Sequence, residues 1–187
     1  AKKSHKVRQE GLAMKARAVA LDLQGAIDES GLKISELVEN RSFRKLSALF
    51  GSYYKNQLSA DFIGREDYTN IYAFYHPTLV EIPDDVFYAA MLTLFYTERV
   101  SKAYRMMQVR KQLDHLSPEM EGLKEDIEFF RKAADHYEFH RIKEAEQIVN
   151  ELLKKYPGHP GFMKFKCRFL MENAGENRIE AERFLDK

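Results

Sequence analysis

The chain has 187 residues, of which 44% are hydrophobic and 32% are charged, and its formal net charge is +1. This balance of hydrophobic and charged residues excludes a disordered tail and a membrane protein. The longest apolar stretch (86–96) is about half of the roughly 20 residues that cross a bilayer. The near-zero net charge gives no overall field for holding a polyanion. With Cys167 as its only cysteine, the chain cannot form an intramolecular disulfide.

The residue usage predicts an all-α fold. Gly occurs only 9 times and Pro only 5 times, helix formers are abundant, and strand-length runs with period-two alternation are nearly absent. The length suits one domain with its own core or a short solenoid of stacked helix pairs. We expect an N-terminal helical region (1–82) and a C-terminal region of helix pairs (83–187).

The N-terminal region begins with a predicted helix from near Val7 to Ile27, which stops at Ser30-Gly31. A second helical stretch covers 34–55, with a candidate break at 40–42, and we expect it to pack antiparallel to the first. The first eighteen residues carry six Lys and Arg against one Glu. Contact with phosphate or acidic lipid is one interpretation, and a solvated helix end is the favoured one.

The end of this region is unusually aromatic. From Phe50 to Tyr96 the chain holds 12 of its 23 Phe and Tyr residues, most of which we assign to a core. A short helix is predicted at 66–75, an extended or irregular segment at 78–82, and a new helix after Pro83. The aromatic segment also leaves open a pocket for a small ligand.

Helices of about fourteen residues separated by short turns follow, and the clearest helix pair covers 126–159. When Asp126 is counted as the first position, its key residues fall at positions 4, 8, 20, 24, 27 and 32: Phe129, Ala133, Ala145, Val149, Leu152 and Pro157. This frame resembles the tetratricopeptide repeat, in which small residues at 8 and 20 let two antiparallel helices approach and Pro at 32 ends the second. Lys132 and His136 depart from the pattern.

The neighbouring sequence repeats this frame less clearly. The next unit contains Met163, Cys167, Leu170 and Ile179, and the preceding unit contains Phe87, Leu94, Ala103 and Met107. An insertion separates the preceding unit from the 126–159 pair, and Ser117-Pro118 within it is typical of a helix start. The resemblance implies two to three tetratricopeptide-like helix pairs over 83–187, stacked as a right-handed solenoid. An irregular helical bundle is the alternative.

The candidate chemical groups favour no catalytic or metal site. His136 and His140 are four residues apart and would share one face of a helix, but the sequence fixes no third ligand. Cys167 lies among cations that would activate a thiol, although the repeat frame makes it a packing residue. The basic residues of one helix (Arg99, Lys102, Arg105, Arg110 and Lys111) spread around its axis instead of forming a nucleic-acid stripe.

These features predict a protein-protein interaction or adaptor module that is not an enzyme and uses no cofactor. The groove lined by the first helix of each pair would bind a peptide or partner helix, acidic or amphipathic in character. The expected contact residues are Tyr88, Met91, Lys132, Tyr137, Lys166 and Arg168. A small-ligand sensor is the alternative function, and homo-oligomerisation through Ile179–Leu185 is a further expectation. We expect a cytoplasmic protein, with a removed signal peptide as the open alternative.

Overall fold

The computed structural model describes residues 2–51, 53 and 79–172. These residues form eight α-helices and no strand, which confirms the all-α prediction for this part of the chain. None of the eight has both the length and the apolar character needed to span a membrane. The helices are α1 (Lys2–Ser30), α2 (Ile34–Glu39), α3 (Phe43–Leu49), α4 (Asp84–Tyr96), α5 (Val100–Leu113), α6 (Pro118–Glu138), α7 (Ile142–Lys155) and α8 (Pro160–Glu172).

The first three helices follow the predicted turn signals. α1 ends at Ser30, and Gly31 takes a left-handed φ of 61°, which glycine adopts without strain. The predicted break at 40–42 is confirmed, because α2 and α3 are separate helices. Arg41 closes the turn at a φ of 51° and donates its N–H to the Val38 carbonyl at 3.0 Å.

α4 connects the two regions of the chain. Nine of its thirteen residues are buried, because it packs against α2, α3, α5 and α6. Its buried polar side chain, Thr93, donates its hydroxyl hydrogen to the Ala89 carbonyl at 2.7 Å, so the hydroxyl is not left unpaired. The prediction of a buried core helix is confirmed. Residues from both regions share one hydrophobic cluster, so the boundary at 83 does not separate two cores.

α6 and α7 form the helix pair expected over 126–159. α6 begins at the predicted start, with Pro118 in its first turn and the Ser117 hydroxyl oxygen accepting a first-turn N–H at 3.4 Å. Ala133 and Ala145 are fully buried, as expected where two helix backbones approach. The α4–α5 pair has the same arrangement of two helices and a short turn. The tetratricopeptide resemblance itself stays a prediction.

α8 packs against α7 and, through aromatic side chains, against α6. The Phe130 ring of α6 lies 4.8 Å from the Phe162 ring and 5.2 Å from the Phe165 ring, measured between centroids. From α4 to α8, each described helix therefore packs against the next one in the sequence. The helices predicted at 66–75 and at 178–185 lie outside the described residues.

Arg110 of α5 places a charge inside the α4–α5 pair. Its side chain is 2% exposed, and its guanidinium donates to the Asp84 carboxylate and, at 3.3 Å, to the Ile82 carbonyl. The guanidinium also lies 4.5 Å from the centroid of the Phe87 ring. Burial lowers the pKa of Arg110 and the Asp84 charge opposes this shift. The interaction holds the end of α5 against the start of α4.

Asp84→Asn removes the charge that compensates Arg110. We expect the free energy of unfolding, measured by urea denaturation, to fall by about 1–3 kcal/mol, the usual loss when a buried polar group loses its partner. Asp84 is 42% exposed, and water will keep the loss near the lower end. Asp85→Asn is the matched control, because Asp85 lies in the same first turn and is exposed. Equal losses for both variants would contradict this role of Asp84.

Candidate functional site

His159, in the turn between α7 and α8, is fully buried with both ring nitrogens engaged. Its Nε2 lies 2.9 Å from the Phe95 carbonyl oxygen, and its Nδ1 lies 3.4 Å from the backbone nitrogen of Phe162. Since a carbonyl only accepts and an N–H only donates, the imidazole is neutral with its proton on Nε2. Burial lowers the pKa of His159 to about 4, which keeps it neutral. The side chain thereby joins the end of α4 to the first turn of α8.

Aromatic rings surround this imidazole. Its ring centroid lies 3.9 Å from that of Phe162 in a stacked arrangement, 4.3 Å from that of Phe95 and 5.1 Å from that of Tyr96. Tyr96 in turn stacks on Phe43 of α3 at 4.0 Å. Aromatic pairs of this kind contribute about 0.5–1.5 kcal/mol each beyond their buried area. We call these five residues the His159 cluster, and through it α3, α4 and α8 meet.

Two charged side chains cross the same end of the molecule. The Arg41 guanidinium donates to the Pro157 carbonyl at 2.8 Å, and the Lys164 ammonium lies 2.6 Å from the Glu98 carboxylate. Arg41 and Glu98 both have a positive φ, at the turns that follow α2 and α4. Because these contacts are exposed, they contribute little stability and mainly fix the positions of the turns.

A shallow cleft of about 240 Å³ lies beside the His159 cluster, between the start of α5, α6 and α8. We call it the α5–α6–α8 cleft. The Phe130 and Phe165 rings form its apolar wall, and the Arg168 guanidinium lies 5.6 Å from the Phe165 ring centroid. Lys164, paired with Glu98, supplies a second cation. The full lining is Glu98, Val100, Ser101, Phe130, His159, Gly161, Lys164, Phe165 and Arg168.

Two of the six predicted partner residues lie at this surface. Arg168 lines the cleft. The Tyr137 ring lies 5.7 Å from the Phe165 ring, and the Tyr137 hydroxyl donates to the Glu172 carboxylate at 2.5 Å. That hydrogen bond raises the pKa of Tyr137, so the phenol stays protonated. Arg168 and Tyr137 therefore lie on one patch shared by α6 and α8, and their role in partner binding stays a prediction.

The other four predicted residues lie outside the cleft. Met91 is fully buried, because helices cover the face of α4 that the repeat frame left open, and we remove it from the contact set. Lys166 contacts a carboxylate of α7 at 2.5 Å. Tyr88 is half-buried in α4. Lys132 is exposed, but it follows Phe130 by two residues and so lies about 200° away around α6.

Phe130, Phe165 and His159 were not among the predicted site residues. Phe130 immediately follows the packing residue Phe129 of the repeat frame, and Phe165 lies two residues after Met163. A partly open ring next to a packing position is a signal for a groove wall. The turn before α8 carries the other signal, since Gly158 takes a left-handed φ of 77° and Pro160 starts the helix, which fixes His159 between them.

The histidine pair considered as a metal site does not share a helical face. α6 ends at Glu138, and His140 lies in the following turn at a φ of 57°, where it is exposed. Among the residues that the structure describes, no group of three or more His, Cys, Asp or Glu side chains is placed to hold a metal ion. Cys167 is buried at 7% exposure, in agreement with a packing residue.

The basic residues of α5 do not form a continuous cationic surface. Arg110 is buried, and the Lys111 ammonium lies 2.6 Å from the Glu121 carboxylate. Burial, together with the charges of Arg99 and Arg105, lowers the pKa of Lys102 to about 8, which reduces its positive charge near neutral pH. This arrangement gives no support to nucleic-acid contact along α5.

No family model matches the chain, and no curated protein and no solved structure shows significant similarity to it.

The His159 pKa makes stability depend on pH. The unfolded imidazole titrates near 6.5 and the folded one near 4, so the unfolded state binds more protons between these values. The contribution of neutral His159 is therefore complete above pH 6.5 and is lost as the pH falls towards 4. Between pH 7.5 and 4.5 we expect this group to lower the free energy of unfolding by about 2 kcal/mol, at about 1.4 kcal/mol per pKa unit.

Urea denaturation of the wild type and of His159→Gln at both pH values measures this effect. The variant will be less stable at neutral pH, because one buried contact is lost, but its stability will fall less on acidification. Subtracting the pH dependence of the free energy of unfolding of the variant from that of the wild type cancels the contribution of the carboxylates that both proteins share. Parallel pH profiles would show that His159 is not held neutral by burial.

Proposed function

We propose that this chain is a protein-interaction module that binds a peptide or a partner helix at the α5–α6–α8 cleft. The observation that carries the proposal is a partly open aromatic wall, Phe130 and Phe165, beside the charged side chains of Lys164 and Arg168. Aromatic and arginine side chains dominate the binding energy of protein interfaces, particularly where they lie together. The resemblance of the sequence over 126–159 to a tetratricopeptide helix pair supports the same type of function, since such pairs present grooves.

The cleft is better suited to a side chain of a partner than to an enclosed small molecule. Its volume of about 240 Å³ is below the roughly 300–1,000 Å³ of typical ligand pockets, and it is a shallow groove at the surface. A single apolar side chain of a peptide fits against Phe130 and Phe165. The remaining binding energy would come from contacts along the rim. The small-ligand alternative concerned the aromatic segment from Tyr53 to Tyr96, and residues 54–78 lie outside the described residues.

The rim favours an acidic or amphipathic partner. Lys164 and Arg168 are four residues apart on α8 and so lie on the same face of that helix. Lys164 shares its charge with Glu98, whereas the Arg168 guanidinium lies over the edge of the apolar wall. A carboxylate of a partner, placed next to an apolar anchor, would pair with Arg168 with good geometry. No catalytic step is proposed.

Peptides selected from a random displayed library against the wild-type chain will test this function. We expect enriched sequences to combine an aromatic or large aliphatic residue with neighbouring Asp or Glu. Arg168→Glu should weaken binding of a selected peptide by about tenfold or more, since a buried charge pair at an interface is replaced by repulsion. Fluorescence anisotropy of the labelled peptide gives the dissociation constants.

Lys132→Glu is the matched control for this experiment. It makes the same change of charge at an exposed position of α6 that points away from the cleft. Binding unchanged in Lys132→Glu and reduced in Arg168→Glu supports the cleft. Loss in Lys132→Glu alone would assign the partner to a different face, and a library that yields no enriched peptide would contradict the proposed function.

A further inference from the structure

α1 presents an apolar face that nothing described in the structure covers. Val7, Met14 and Leu21 are 65%, 72% and 72% exposed, and they are spaced by seven residues. Half-buried and buried residues of α1, such as Val19, Leu23 and Ile27, contact the core instead. At 100° per residue, the two sets lie on opposite sides of the helix. The exposed face is therefore not part of the core contact of α1.

The positions between these large residues complete a heptad pattern. Gly11, Ala18 and Gly25 alternate with the large residues at steps of four and three, which is the a/d spacing of a coiled coil. No described atom outside α1 lies within 4 Å of where a side chain would begin at Gly11 or Gly25. In this pattern one heptad position holds large residues and the second holds small ones. Two such helices can approach closely when the large side chains of each helix face the small residues of its partner. We call the six residues of this pattern the α1 stripe.

The charges of α1 are arranged against its own dipole. Its sequence carries six Lys and Arg and one Glu in residues 2–17, and Asp22, Asp28 and Glu29 without any Lys or Arg in residues 18–30. The first turn has no acidic residue and the last turn has no basic residue. A helix is stabilised by the opposite arrangement, because its amino end is partially positive and its carboxyl end partially negative. The charge distribution is thus unfavourable for α1 alone.

A second α1 running in the opposite direction removes this disadvantage. The basic amino end of each helix then lies beside the acidic carboxyl end of the other, and the two dipoles oppose. In this arrangement Met14 of one helix faces Gly25 of the other, and Leu21 faces Ala18, so these two large side chains each meet a small residue, while Val7 lies beyond the paired part of the two helices. Lys15 and Asp22, both exposed and flanking the α1 stripe, form ion pairs across the contact. The charges and the sizes favour the same arrangement.

We propose that the chain forms a homodimer through antiparallel pairing of the α1 stripes of two copies. This surface lies on α1 and does not involve the α5–α6–α8 cleft. Each copy therefore keeps its cleft accessible, and the dimer presents two clefts to a partner. Because the contact is isologous, each pair of residues across the axis occurs twice, and each substitution acts twice.

Sedimentation velocity on the full chain measures the dimer directly. The wild type is expected to dimerise, and Met14→Glu is expected to raise the dissociation constant by at least tenfold by placing a charge in the apolar contact. Met171→Glu is the matched control, because Met171 is a methionine of α8 that is also exposed, at 66% against 72% for Met14. Circular dichroism confirms that each variant is folded. A wild type that stays monomeric over the accessible concentration range overturns the proposal.

Exchange of two charges tests the orientation. Lys15→Glu and Asp22→Lys each create repulsion across an antiparallel contact and should weaken the dimer about tenfold, whereas the double variant restores both pairs and should return the wild-type dissociation constant. In a parallel dimer, Lys15 and Asp22 would face Glu10 and Arg17, so the double variant would be worse than either single one. Absence of rescue overturns the antiparallel arrangement.

A membrane surface is the competing occupant, because the sequence of residues 2–17 carries six Lys and Arg. Co-sedimentation with vesicles of phosphatidylserine and phosphatidylcholine distinguishes it from a second copy. Dimerisation without vesicle binding supports the proposal. A monomer that binds these vesicles, and loses that binding in Met14→Glu, would assign the stripe to lipid and overturn the dimer.

Discussion

The position of α8 against α4 depends on the two hydrogen bonds of the His159 imidazole. They connect a carbonyl at the end of α4 with an N–H in the first turn of α8, two elements that are 64 residues apart in the sequence. Helix ends leave their last carbonyls and first N–H groups unpaired, and burying such groups without a partner is unfavourable. The neutral His159 imidazole accepts the first-turn N–H of Phe162, and it gives a second donor to the Phe95 carbonyl, which also accepts the Glu98 N–H at 3.2 Å. Since Phe95, Tyr96 and Phe162 surround the ring, the same residue also brings α3, α4 and α8 to one point.

The position of the proposed partner cleft follows from this arrangement. Because α8 is fixed against α4, its Phe165 and Arg168 stand beside Phe130 of α6 and the turn after α4, and the cleft forms there. The cleft is on a scaffold of packed helices, so a partner would meet a preformed surface and lose less entropy on binding. The α1 stripe is a separate surface. Its apolar spacing and the reversed charge distribution of α1 both favour contact between two copies of the chain. Under the two proposals, one chain offers both a partner site and a contact with its own copy.

Local signals in the sequence were sufficient to place the start of α6 and the break between α2 and α3, but not the helical conformation of Leu79 and Val80. The cap and proline at Ser117-Pro118 and the break at 40–42 each depend on a few neighbouring residues, and both were found where predicted. The burial of Ala133 and Ala145 also follows from local spacing. The candidate site was predicted less well. Whether Met91 is covered depends on helices far away in the sequence, and the partner of His159 lies on another helix, so neither is visible in a window of neighbouring residues.

The most direct test of this account is the protonation state of His159 in solution. Long-range ¹H–¹⁵N spectra of the ¹⁵N-labelled chain report the tautomer and charge of each of its six histidines, and His159→Gln identifies the signal. The account predicts that the His159 imidazole carries its proton on Nε2 and stays neutral while the pH falls through 6.5 to about 5. If the His159 ring instead titrates near 6.5 or carries its proton on Nδ1, it does not join α4 to α8, and the cleft beside it is not held as described.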